Sequence, residues 1–131
     1  MLDFISPKIV AIMQLIMAAG IIRFWFIWFH TAHTEPWLPP GYMEHERTFV
    51  YPDSVMSALM IISAVLLFLE KPLGASLALI CGGMMLFLTI IDIAYFAQHG
   101  MFAKDKGGTE NLGLILPMII MSFLMIGRFI A

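Results

Sequence analysis

A four-helix transmembrane bundle is the fold class this sequence predicts, and three observations predict it. Hydrophobic residues make up 61% of the 131 and charged residues only 12%, where a soluble domain carries about a quarter charged. Four apolar stretches each approach the roughly 20 helical residues needed to cross a hydrocarbon core about 30 Å thick. What remains is one loop of moderate length and short connections, so residues 1–131 read as a single membrane domain. The formal net charge of −2 excludes the basic surface that nucleic-acid binding requires.

The first helix is expected from about Ile9 to His30. Its apolar core exceeds the 7–15 residues of a signal peptide and ends in aromatics, without a small-residue cleavage site, so it reads as a retained span. The cluster Phe24-Trp25-Phe26-Ile27-Trp28-Phe29 is of the kind that anchors at a membrane interface. The segment Thr31–Tyr51 contains Pro36, Pro39, Pro40 and Gly41 and is expected to lack long regular helix.

The second helix is expected over 53–69, with Asp53 as N-cap, and Glu70-Lys71-Pro72 closes it in a tight turn. The third is expected over 73–98, ended by Gly100. The fourth is expected over 112–130, capped by Asn111, with Pro117 in its early turns. Four crossings place both termini on one side. The basic residues outside the helices divide evenly between the two sides, so the positive-inside rule discriminates weakly. The expectation is a bacterial-type plasma membrane with cytoplasmic termini.

The chemistry is concentrated in a few polar residues. Arg23 and Asp92 lie in different spans, seven and six residues before the loop-side ends of their helices, hence roughly 9–11 Å deep at ~1.5 Å per residue. Intramembrane charges face the bundle interior and pair, which predicts an Arg23–Asp92 salt bridge. His30 follows Arg23 by seven residues, and Tyr95 and His99 follow Asp92 by three and seven, so each set shares approximately one helix face. With Asp53 they form an expected polar layer in the loop-side leaflet. On the same helix, Gly74, Ala78 and Gly82 recur every four residues, a spacing that lets membrane helices approach closely.

Imidazole and carboxylate side chains suit zinc, copper or non-haem iron, and His30, His33, Glu35 and His45 are the metal-ligand candidates. Their spacing matches no specific metal motif. His30 and His99 are at a similar depth, as two axial haem ligands would be, but both sit at helix ends where a haem would be poorly covered. No C-x-x-C-H is present. No motif requires a cofactor. The twelve methionines suit flexible packing better than copper. Ser57, Ser63, Ser76 and Ser122 have no base nearby in sequence, and no catalytic residue is assigned. Cys81 is the sole cysteine, so no internal disulfide forms.

In length and four-crossing layout the chain resembles several small bacterial membrane families, including the DoxX-like group. The resemblance is of architecture and implies no activity or site residues. Two functional classes fit the residues. One is a non-catalytic accessory or assembly subunit of a larger membrane complex, with a protein partner or a second copy. The other is a binder of a small lipophilic ligand, a quinone or lipid, at the polar pocket. A metal- or haem-dependent redox protein is the weaker third.

Overall fold

The computed structural model describes Met1–Ala131 and is all-helical. Its helices are α1 (Pro7–Phe29), α2 (Tyr42–Thr48), α3 (Val50–Phe68), α4 (Pro72–Gln98) and α5 (Gly108–Phe129), with a short 3-10 turn at Lys104–Lys106. Four helical stretches are long and apolar enough to cross a membrane: α1, α2 with α3, α4 and α5. The chain is thus a small multi-pass membrane protein built as a four-helix bundle.

Local chemistry sets the helix ends. Ser6 caps α1 by accepting from the Lys8 amide at 3.3 Å, and Pro7 takes a first-turn position whose missing N–H leaves no bond unmade. At the end of α4 the Gly100 amide bonds to Ala97 O and the Met101 amide to Phe96 O. This pattern requires a left-handed residue between them, supplied by Gly100 at φ 65°. Met101 and Phe96 are both buried in one apolar cluster, which reinforces the stop.

Three sequence expectations are corrected. The loop after α1 contains a helix, α2, because Pro36, Pro39 and Pro40 all precede it and Gly41, at φ 81°, turns the chain into its first residue. Asp53 is not an N-cap: α3 begins at Val50, and Pro52 falls within its first turn. Asn111 is not a cap either. The chain enters α5 through Gly107, while the Asn111 amide group donates to Met101 O at 2.7 Å, tying the helix to the preceding loop.

Side-chain packing orders the helices. The packed pairs are α1 with α3, α3 with α4, and α4 with α5, while α1 and α5 meet only sparsely. The core contains Val10, Met56, Met60, Cys81, Met85 and Met125, all fully buried. Its methionines are packing residues that adapt to irregular gaps. Three buried hydrogen bonds cross between helices: Gln14 Nε2 to Met60 O at 3.1 Å, Ser63 Oγ to Gly74 O at 2.7 Å, and the weaker Cys81 Sγ to Met56 O at 3.9 Å. The small-residue ridge of α4 serves two neighbours: Gly74 lies against the Leu66 and Leu67 backbone of α3, and Gly82 against Ser122, Met125 and Ile126 of α5.

At the terminal end the seam between α1 and α5 is tied. The Leu2 amide bonds to Gly127 O at 3.0 Å, and Arg128 donates through Nε to Ile5 O. Both termini therefore lie at one end of the bundle. At the loop end the same seam holds a cavity.

Candidate functional site: an acidic cavity between α1 and α5

The loop-side cavity has a volume of about 220 Å³. Most of its wall is apolar, from Met17, Ile21, Phe24, Phe49, Phe96 and Met118. Three carboxyl groups also reach it: Glu46 from α2, Asp53 from α3 and Asp92 from α4. Helical spacing explains two of them. Glu46 and Asp53 are seven residues apart, and with α2 running almost directly into α3 they point to one side. Along α1 and α5 the wall includes Gly20 and Gly113, and a Cβ built on either would meet nothing within 4 Å. The seam is thus open beside them.

One of the acidic groups, Asp53, is held by an aromatic side chain. Trp25 Nε1 donates to Asp53 Oδ2 at 2.9 Å. The His45 ring stacks on Tyr95, with centroids 3.7 Å apart and planes within 9°, and His99 tilts against Tyr95 at 4.5 Å. His45, Glu46 and Asp92 each place one potential ligand atom within 4.8 Å of the others. Several buried polar atoms here have no hydrogen-bond partner: His45 Nε2, Glu46 Oε2, Asp53 Oδ1 and Tyr95 OH. Buried polar atoms are nearly always satisfied, so four orphans in one neighbourhood leave hydrogen-bonding capacity unfilled there.

The sequence-predicted polar layer is assembled only in part. Asp53, Asp92, Tyr95 and His99 belong to this neighbourhood. Arg23 does not: it is exposed on α1, in a separate groove with His33 and Glu35. The predicted Arg23–Asp92 salt bridge is absent, and the ion pairs that form involve Asp3, with the N-terminus at 3.7 Å and with Arg128 at 4.0 Å. The reason is azimuth. The buried stripe of α1 runs through Ala11, Gln14, Ala18, Trp25 and Trp28, and Arg23 lies two residues, about 200°, away from Trp25. Arg23 is turned away from the bundle interior that Asp92 faces.

His30 caps α1 and donates from Nδ1 to Phe26 O at 2.7 Å, while His33 donates from Nε2 to Trp28 O at 2.9 Å. Of the four metal candidates only His45 is in the ligand-competent group, and His30, His33 and Glu35 are outside it. Glu46 adjoins the candidate His45 in the acidic and histidine cluster Glu44-His45-Glu46, but its place beside Asp53 and Asp92 was not foreseen. Its i, i+7 relation to Asp53 was readable, but only once a helix is allowed to start before Val50. The interfacial aromatics also divide: Trp25 and Trp28 are buried inward, whereas Phe26 and Phe29 face out.

No protein-family model matches the chain, and neither the curated proteins nor the solved structures contain a significant match.

Proposed function

We propose that this protein binds a small lipophilic molecule in the loop-side leaflet, with the polar head in the acidic cavity and the tail in the seam between α1 and α5. The observation that carries this reading is a mostly apolar cavity with convergent polar groups, placed where two neighbouring helices separate beside Gly20 and Gly113. About 220 Å³ is below the roughly 300–1,000 Å³ of whole-ligand pockets, so the space suits a ring-sized head and not an entire lipid. Carboxylates offer acceptors only, and the one side-chain donor at the wall, Trp25 Nε1, is already engaged with Asp53. The complementary head therefore donates hydrogen bonds or carries positive charge, as a quinol hydroxyl or a lipid amine does.

The test is organic extraction and mass spectrometry of the chain purified from its membrane in mild detergent, beside Gly20→Leu and Gly113→Leu. The expected result is one lipophile enriched to a fixed ratio in the parent protein and depleted in both variants, with thermal midpoints unchanged. An identical lipid profile in all three proteins would remove the ligand reading and leave the accessory-subunit class, whose signature is a stoichiometric protein partner.

A further inference from the structure

We propose that His45, Glu46 and Asp92 bind a divalent transition-metal ion at the acidic end of the cavity. The site requires no lipophilic ligand, so it stands or falls separately from the reading above. Three independent features support it. The first is the donor set: one imidazole and two carboxyl groups, drawn from α2 and α4, with ligand atoms no more than 4.8 Å apart. Metal–ligand bonds to these donors are roughly 2.0–2.2 Å, so donors at tetrahedral angles on one ion lie about 3.3–3.6 Å apart. The most widely separated donors therefore need to close by about 1 Å or slightly more on binding.

The second feature is burial without satisfaction. Glu46 is only 7% exposed, lines the cavity, and has an Oε2 with no partner. His45 Nε2 is likewise buried and free of any hydrogen bond. The stacking of His45 on Tyr95 holds the imidazole plane in place.

The third feature is charge. Glu46, Asp53 and Asp92 reach one cavity, and none of them forms an ion pair with a Lys or Arg. Two carboxylates and a neutral imidazole offset the charge of a divalent ion, and Asp53 adds a nearby acceptor. The imidazole nitrogen favours zinc or ferrous iron over magnesium and calcium, which prefer all-oxygen sets, while the two carboxyl groups also suit manganese. Three protein ligands leave at least one coordination position, and the cavity lined by Glu46 and Asp92 is on hand to supply its occupant.

The experiment uses the full chain in detergent, stripped with a chelator and reloaded with Mn²⁺ or Zn²⁺ alone. Elemental analysis after desalting is expected to give one ion per chain. Pulsed electron paramagnetic resonance of the Mn²⁺ form is expected to show coupling to one imidazole nitrogen, kept in His33→Ala and lost in His45→Ala. Glu46→Gln and Asp92→Asn, near in shape to the parent residues, are expected to weaken binding by at least about 10–100-fold, the range already seen for outer-shell losses. No stoichiometric ion in the parent protein would overturn the proposal, whatever the variants do. So would an ion without imidazole coupling, or affinity indifferent to all three substitutions.

Discussion

Trp25 and Asp53 are joined across the α1–α3 interface by an indole-to-carboxyl hydrogen bond of 2.9 Å. The bond takes one oxygen of Asp53 and leaves Oδ1 without a partner at the cavity, so Trp25 orients the carboxyl group. Hydrogen bonds to charged groups contribute about 1.5–3 kcal/mol. Trp25→Phe is expected to cost at least that much, with some further loss from the smaller ring. Asp53→Asn, which retains an acceptor oxygen, is expected to cost less. Thermal unfolding in detergent checks the ranking, and equal losses for the two variants would show that the bond does not discriminate them.

The glycines of α4 predict a graded series. A Cβ on Gly74 would lie 2.8 Å from Leu67 N, a backbone atom that cannot step aside, whereas one on Gly82 would meet the Ile126 side chain at 2.8 Å. Overpacking of a tight contact costs typically about 1–3 kcal/mol. Gly74→Ala is expected at the upper part of that range and Gly82→Ala at the lower. Gly83 faces open space, so Gly83→Ala is expected to be neutral or to stabilise, by up to about 1 kcal/mol from helix propensity. Measured midpoints out of that order would contradict the packing described for α4.

The turn between α3 and α4 contains the one non-glycine residue with positive φ, Glu70 at 57°. The Glu70 and Lys71 amides bond to Leu67 O and Leu66 O, the same closure that Gly100 makes at the end of α4. A left-handed residue other than glycine costs roughly 1–2 kcal/mol. Glu70 is exposed and forms no ion pair, so nothing offsets its loss. Glu70→Gly is expected to raise stability by about 1 kcal/mol, less any entropy returned to the unfolded chain, and a lowered midpoint would count against this turn geometry.

The bundle was legible because hydropathy alone marks spans: a buried or lipid-facing helix needs apolar residues whatever its neighbours. The stop at Gly100 was legible for an equally local reason. The site was only half legible. Asp92, Tyr95 and His99 share a face of one helix, so periodicity groups them. Glu46 and His45 reach them only because Gly41 starts a helix just beyond the last proline of that segment, where proline content argued against long regular helix. The expected pairing of Arg23 with Asp92 rested on residue counts to the helix ends, yet pairing depends also on which way each helix is turned. That angle is set by the Trp25 and Trp28 packing, which no single-helix count contains.

The Arg23–Asp92 relationship gives the last prediction. Both residues are charged, both lie in spans, and a bundle locked by them would show strong energetic coupling. In the structure Arg23 is exposed in a groove with Glu35 and Asp92 lines the cavity with Glu46 and Asp53. Residues without contact or shared partners usually add within about 0.3–0.5 kcal/mol. A double-mutant cycle of Arg23→Ala and Asp92→Ala, read from thermal or denaturant unfolding in detergent, is therefore expected to give a coupling energy below about 0.5 kcal/mol. Breaking one side of a true buried pair would instead cost several kcal/mol, with the second substitution recovering part of it. Asp92→Ala is also expected to abolish metal retention while Arg23→Ala leaves it intact, so the two residues separate in binding as well as in stability. A coupling of 2 kcal/mol or more, on the order of a broken buried pair, would place Arg23 inside the bundle and undo the azimuthal assignment of α1.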